Sequence, residues 1–99
     1  MSTFQELIKG EIPVLVDFYA EWCAPCKTMN PTLKNIKKQF GDELKIIKIN
    51  IDNNQQVASK FQVRGIPTFI IFKNNEVKWR QSGIIEERNF LETIKLKIN

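Results

Sequence analysis

Short β-forming runs alternate with segments of helical periodicity along this chain, and this alternation limits its possible folds more than any other feature. The predicted helices cover residues 3–9, 24–40, about 54–61 and 86–98, and the predicted strands cover residues 14–19, 44–51, 68–72 and 77–79. Strands separated by helices favour a parallel core, while the tight turn Asn74-Asn75 between the last two strands favours an antiparallel hairpin. We therefore predict an α/β fold with a central mixed sheet of about four strands and helices on both faces.

The first predicted strand has the pattern of a central strand. Residues 14–19 (VLVDFY) are apolar on both faces except at Asp17, as expected where helices cover both sides of a sheet. The helix that follows has one apolar stripe, and Pro31 inside it predicts a kink. The stripe consists of Met29, Leu33, Ile36 and Phe40.

A chain of 99 residues fits one domain, and we expect residues 1–99 to form it. Its longest apolar runs have the length of strands, and none is long enough for a membrane span. The first residues, Met1 to Glu6, lack the basic region and apolar core of a secretory signal. We therefore expect a cytoplasmic protein with no membrane partner.

The formal net charge of +4 raises the question of a nucleic-acid partner. The lysines are dispersed, however, and Lys37-Lys38 is their only adjacent pair. A nucleic-acid site favours a concentrated basic patch with aromatic residues between the charges. We therefore expect a solvated basic surface and no nucleic-acid partner, while acidic protein partners are compatible with the charge.

The chain has no histidine and only two cysteines, Cys23 and Cys26. The lack of histidine excludes Ser-His and Cys-His nucleophilic catalysis and every histidine-ligated metal site. Two thiols fall short of the four ligands of structural zinc, which leaves open only a metal shared across a dimer. Lys27 stands where covalent haem needs a histidine, and a structural disulfide closing so small a loop would constrain little of the unfolded chain. The favoured interpretation is redox chemistry without a metal or cofactor.

The cysteine pair follows an apolar strand and opens a helix. Cys23 should lie at or next to the N-cap, where unpaired N–H groups and the positive end of the helix dipole stabilise a thiolate, the reactive form of cysteine. Pro25 fits the first turn, which does not need its N–H. Cys26, about one turn into the helix, should be more buried and act as the resolving thiol.

Asp17 is the candidate to take a proton from Cys26. A carboxyl group in an apolar strand is costly to bury in its charged form, which raises its pKa towards neutrality. A perturbed carboxyl beside reactive thiols is a recognised functional pattern. The alternative is an Asp that is turned to solvent or simply paired with a cation, for which Lys48 in the next strand is the obvious partner.

Three segments together resemble thioredoxins in order and spacing. They are VDFYAEWCAPCK at residues 16–27, RGIPT at residues 64–68 and SG at residues 82–83. The resemblance extends from about residue 3 to the C-terminus and is far more specific than the cysteine pair alone. It implies that Cys23 is the attacking thiol, that Cys26 resolves, and that Asp17 is a buried carboxylate modulated by Lys48.

The resemblance also implies a cis peptide bond before Pro67, which would face the disulfide, and an apolar surface that docks substrate proteins. The residues of the docking site would be Trp22, Ala24, Pro25, Ile66, Pro67 and Gly83. Three departures accompany the likeness. Ala24 replaces the usual glycine, Tyr19 stands where tryptophan is common, and Asn75 takes a turn position often held by glycine. Because the first helix begins almost at once, a fifth edge strand should be absent.

The implied function is reduction of protein disulfides by a monomeric protein without a cofactor. Its implied partners are disulfide-containing substrate proteins and an NADPH-dependent thioredoxin reductase. Two alternatives stay open. The same fold can serve a disulfide oxidant or isomerase, depending on potential and compartment. The surface around the cysteines could instead belong to a non-enzymatic binding subunit.

Overall fold

The computed structural model describes residues 3–99, and within that range it has five α-helices and four strands. The helices are α1 (Phe4–Ile8), α2 (Ala24–Thr28), α3 (Asn30–Phe40), α4 (Gln55–Lys60) and α5 (Glu87–Lys97). The strands are β1 (Val14–Tyr19), β2 (Lys45–Asn50), β3 (Thr68–Lys73) and β4 (Glu76–Ser82). A short 3₁₀ turn at Gly41–Glu43 leads into β2. The four predicted strands and three of the four predicted helices are thus confirmed, with small differences in their bounds, while the helix predicted over residues 24–40 is divided into α2 and α3.

The strands form one mixed sheet in the order β2-β1-β3-β4, which confirms the predicted four strands. β1 and β2 are parallel, as expected, and β3 and β4 form the predicted antiparallel hairpin. The prediction of a parallel core was wrong for β3, which runs antiparallel to β1. The six residues of α4 span only about 9 Å. A six-residue strand is about 20 Å long, so α4 spans about half its length, and the chain enters β3 in the direction opposite to β1.

The long helix predicted over residues 24–40 is interrupted at Met29, and Pro31 lies in the first turn of the second part. Proline has no N–H to donate to the carbonyl four residues earlier, and its ring crowds that carbonyl. The chain therefore begins a new helix, α3, at Asn30 instead of bending one continuous helix at Pro31. The result is a short α2 that carries the cysteine pair.

Helices cover both faces of the sheet, as predicted. The predicted apolar stripe packs with α5 against one face, in a core of buried residues that includes Leu15, Met29, Leu33, Ile36, Phe40, Phe69, Ile71, Phe90 and Ile94. α1 and α4 cover the opposite face, where the buried residues are Ile8, Val14, Val16, Phe18, Ile70 and Phe72. β1 contributes to both cores because alternate side chains of a strand point to opposite faces.

The hairpin turn has the backbone that its sequence predicts. Asn74 and Asn75 have φ angles of 53° and 66°, the left-handed conformation that asparagine tolerates. A register shift between Ile71 and Phe72 marks a bulge in the pairing of β3 with β4. Most side chains of β4 are exposed, as expected of a strand at the edge of a sheet.

Candidate functional site

The two cysteines lie at the point where β1 leads into α2, and they are joined as a disulfide. Cys23 is the N-cap residue of α2, and its Sγ accepts a hydrogen bond of 3.1 Å from the Cys26 N–H. Pro25 lies in the first turn, where its missing N–H costs no helical bond. The sulfur of Cys23 thus occupies the position that the sequence predicts, against a backbone N–H at the helix N-terminus.

The expected difference in burial between the cysteines is absent. Both are 4% exposed, so the prediction that Cys26 is the more buried residue was wrong for the disulfide form. The bond holds both sulfurs in one small apolar cluster with Ala20, which Ile66 and Ile51 help to cover. The neighbours of the disulfide in sequence are exposed: Trp22, Ala24 and Pro25.

Asp17, in β1, is buried with 1% of its surface exposed. Within residues 3–99, neither of its carboxyl oxygens has a hydrogen-bond partner. Burial raises the pKa of Asp17 from 3.8 to about 6, and the positive charge of Lys48 opposes this rise. The structure thus rules out a solvent-facing Asp17, and its proton equilibrium lies close to neutrality as predicted.

Lys48 is the register partner of Asp17 across the β1–β2 pair, but the two side chains form no ion pair in the part of the chain that the structure describes. The alternative of a simple Asp17–Lys48 pair was therefore wrong. The Lys48 Nζ donates to the Asn30 Oδ1 at 2.8 Å and lies 4.7 Å from the centre of the Tyr19 ring. In this exposed position the Lys48 ammonium stays hydrated and contacts both Asn30 and Tyr19. Contact with the buried Asp17 would instead require the ammonium to lose its hydration, which costs free energy.

A small cavity of about 120 Å³ lies between Lys48, Asn30 and Cys26. Its polar walls also include Glu21 and Lys27. A polar space of this size can hold ordered water. The cavity therefore offers room for a water molecule next to Cys26.

The loop before β3 is the second component of the site. The peptide bond between Ile66 and Pro67 is cis, which confirms the prediction. The Gly83 N–H donates to the Pro67 carbonyl at 2.8 Å, so the end of β4 holds this loop in place. Gly83 has a φ of 94°, a backbone conformation that favours glycine.

The six predicted docking residues differ in accessibility. Three are exposed (Trp22, Ala24 and Pro25), two are half-buried (Ile66 and Gly83), and Pro67 is buried. Ile66 packs against the cysteine cluster, and Gly83 is bonded to Pro67, so the structure places these loops around the disulfide. Pro67 can offer a partner little side-chain surface.

Sequence reasoning missed three residues that complete this region. Asp52 accepts a hydrogen bond of 2.9 Å from the Trp22 Nε1 and holds the exposed indole, and Ile84, next to Gly83, is 57% exposed. Asn30 holds Lys48. The sequence contains two signals for these residues. Trp22 and Asp52 each follow one of two parallel strands, and the carboxyl ends of parallel strands meet at one edge of the sheet. Asn30 lies four residues after Cys26, which is about one helical turn.

The donor set offers little to a metal ion. The described residues contain no group of three or more His, Cys, Asp and Glu side chains close enough together to hold one.

In the same range, no helix is long and apolar enough to cross a membrane.

Comparison with known proteins gives consistent matches. A protein-family model described as Thioredoxin matches residues 1–96. A thioredoxin of Rickettsia typhi is 41% identical over 98 residues, which cover 99% of this chain and 93% of that protein. A thioredoxin of Rickettsia bellii is 40% identical over 95% of this chain and 90% of its own length. Thioredoxin 1 of Chlorobaculum tepidum is 40% identical over 85% of this chain and 84% of its own length.

Proposed function

Because the chain belongs to the thioredoxin family, we propose that it reduces protein disulfides by dithiol–disulfide exchange at Cys23 and Cys26. The observation that carries the proposal is the position of the Cys23 sulfur at a helix N-terminus, bonded to Cys26 and to the Cys26 N–H. This placement stabilises a thiolate at one sulfur and keeps the second within bonding distance. Both properties are needed for a pair that opens and closes in each cycle.

In the first step, the Cys23 thiolate attacks one sulfur of a substrate disulfide. A bond forms between Cys23 and that sulfur, the substrate disulfide breaks, and the other substrate sulfur leaves as a thiolate that takes a proton from water. The N–H of Cys26, 3.1 Å from the Cys23 sulfur, stabilises the attacking anion. The product is a mixed disulfide between Cys23 and the substrate.

In the second step, Cys26 gives its proton to the Asp17 carboxylate and attacks the Cys23 sulfur. The Cys23–Cys26 bond forms, the mixed disulfide breaks, and the second substrate thiolate leaves and is protonated. Two electrons have then passed from the protein to the substrate. The pKa of about 6 that burial gives Asp17 supports this role, since such a carboxylate is a stronger base than an ordinary one near neutral pH.

The surroundings of the disulfide suit the docking of a substrate chain. Trp22, Ala24 and Pro25 are exposed on one side, and the loop of Ile66 and Gly83 lies on the other. We add Ile84 to this surface because it is an exposed apolar side chain next to Gly83. Lys48 acts as a modulator, since its charge lowers the pKa of Asp17 against the effect of burial.

The cycle needs a reductant to reopen the Cys23–Cys26 disulfide. We propose an NADPH-dependent thioredoxin reductase for this step, as the family implies, and a cytoplasmic location in which thiols are kept reduced. Oxidation and isomerisation use the same two sulfurs, and the balance among these reactions depends on the reduction potential.

The test is reduction of insulin disulfides with NADPH and a bacterial thioredoxin reductase. The proposal expects turnover that is lost in both Cys23→Ser and Cys26→Ser. It also expects Cys26→Ser, but not Cys23→Ser, to accumulate a mixed disulfide with the insulin chain, detected by mass spectrometry. The two variants are matched controls for one another, because each keeps one thiol.

Three results would count against the proposal. Trapping through Cys26 in Cys23→Ser would reverse the assigned roles. A reduction potential well above that of the glutathione pool would favour an oxidant. Full biological activity of a protein lacking both thiols would favour the binding subunit.

A further inference from the structure

The outer side of β2 is an open sheet edge within the part of the chain that the structure describes. The N–H groups of Lys45 and Ile51 point inward and donate to the carbonyls of Pro13 and Tyr19 at 3.0 and 2.9 Å. Because backbone groups alternate in direction along a strand, the N–H and C=O groups of Ile46 and Lys48 point outward. Such groups are a template for pairing with a further strand.

A groove of about 460 Å³ lies beside this edge, between β2 and α3. Its apolar lining consists of Leu33 and Ile46, and its rim carries Lys34 and Lys48. Lys37 also lines the groove, and its ammonium donates to the Gly41 and Leu44 carbonyls at 2.8 and 2.9 Å. No acidic side chain lines it. The groove therefore combines an apolar surface with a concentration of positive charge, next to free backbone donors and acceptors.

The opposite face of the same edge is different. Ile47 and Ile49 belong to the second core but stay half-buried, because no further strand covers them in the described residues. Lys45 is exposed at the start of the strand. A strand added to β2 would therefore meet lysines on the α3 side and bare isoleucines on the other.

We propose that the open edge of β2 and the adjoining groove, together called the β2 groove, bind an extended acidic segment of a partner protein as an added strand. Side chains of such a segment alternate between faces. Acidic residues at every second position meet Lys34 and Lys48, and the apolar residues between them cover Ile47 and Ile49. The complementary segment is about five to six residues long, matching β2.

Charge excludes a second copy of this chain as the occupant. Pairing of two β2 strands would bring the lysines of both copies together, on a protein whose formal net charge is already +4. Lysines on an edge strand oppose self-pairing, and the same charges attract an acidic strand. Asp42 and Glu43 precede β2 but do not line the groove, so they leave its positive rim intact.

The groove does not include the thiols, since no cysteine lines it. It is nevertheless continuous with the cysteine region, because Asn30 and Lys48 line both the groove and the cavity at Cys26. Binding can therefore be measured on the oxidised protein, and its failure would not bear on the proposed reductase activity.

The experiment is a titration of the ¹⁵N-labelled, oxidised full chain with a synthetic seven-residue peptide of alternating Glu and Val. Two control peptides have Lys in place of Glu, or the same composition in two blocks. The proposal expects amide shifts centred on β2 and α3, protection of the Ile46 and Lys48 amides from hydrogen exchange, and weaker binding at high salt. Neither control peptide should bind as well.

Variants locate the contact. Lys34→Glu, which reverses a charge on the groove's rim, should weaken peptide binding about fivefold or more, while insulin reduction stays unchanged. Lys95→Glu on α5, far from β2 in sequence and exposed, is the matched control and should bind like the parent. Equal binding of the Lys peptide, shifts confined to other elements, or self-association through β2 in sedimentation experiments would overturn the proposal.

Discussion

Replacing the buried Asp17 by Asn should stabilise the protein at neutral and alkaline pH. Asn resembles the protonated acid in shape and carries no charge at any pH. Burial raises the pKa of Asp17 from 3.8 to about 6. That difference corresponds to about 3 kcal/mol of unfolding free energy, at about 1.36 kcal/mol per pH unit. For a domain of this size, the melting temperature should rise by roughly 10 to 20 °C.

The sign of the pH dependence follows from proton binding. Between pH 3.8 and about 6, the folded protein keeps a proton on Asp17 that the unfolded chain has lost, so stability falls as the pH rises. Above this window the carboxylate is charged in both states, and its full burial cost is present. The advantage of Asp17→Asn should therefore be near zero at pH 3.5 and reach its maximum above about pH 7.

Urea unfolding of the oxidised proteins, followed by tryptophan fluorescence from pH 3.5 to 8, measures this difference directly. Asp42→Asn is the matched control, because Asp42 is an exposed carboxylate. Its free energy of unfolding should differ from that of the parent by less than about 0.5 kcal/mol. The reasoning is refuted if the gain of Asp17→Asn is independent of pH, or if the variant is less stable than the parent at pH 8.

Two further substitutions test the supports of the site. Asn30→Ala removes the 2.8 Å hydrogen bond to Lys48, so the Lys48 ammonium should spend more time in solvent. Because the charge of Lys48 lowers the pKa of Asp17, that pKa should then rise further, as read from the ¹³C signal of the Asp17 carboxyl group. An unchanged or lower pKa of Asp17 would contradict this. Gly83→Ala should cost about 1–2 kcal/mol in urea unfolding because its φ is 94°. Gly10→Ala, where an added Cβ meets nothing within 4 Å, should change stability by less than about 0.5 kcal/mol, and equal costs at both glycines would remove the backbone argument.

The sequence predicted the elements of this fold better than their directions. β1 was recognisable because all but one of its residues are apolar, and the hairpin because Asn74 and Asn75 suit a left-handed turn. The direction of β3 depends on the path of the whole connection over residues 51–67, which periodicity does not specify. The break at Met29 shows the same limit. Pro31 predicted an irregularity in the helix, but it did not predict the residue at which the next helix would begin.

At the site, the sequence predicted the sulfur at the helix N-terminus and the buried carboxyl group, because both follow from local pattern. It did not predict where the Lys48 ammonium lies. A long exposed side chain can make several interactions of similar energy. The interactions of Lys48 depend on Asn30 and Tyr19, which lie beside it only in the folded chain. The equal burial of the cysteines likewise depends on the disulfide, which holds both sulfurs in one cluster.

The central claim is that the helix N-terminus makes Cys23, and not Cys26, the attacking thiol. The most direct measurement is alkylation of the reduced protein at pH 7 with a limiting amount of iodoacetamide, followed by mass spectrometry of the peptides that carry each cysteine. The account predicts modification of Cys23 at least about tenfold faster than that of Cys26. Equal rates, or faster modification of Cys26, would contradict it.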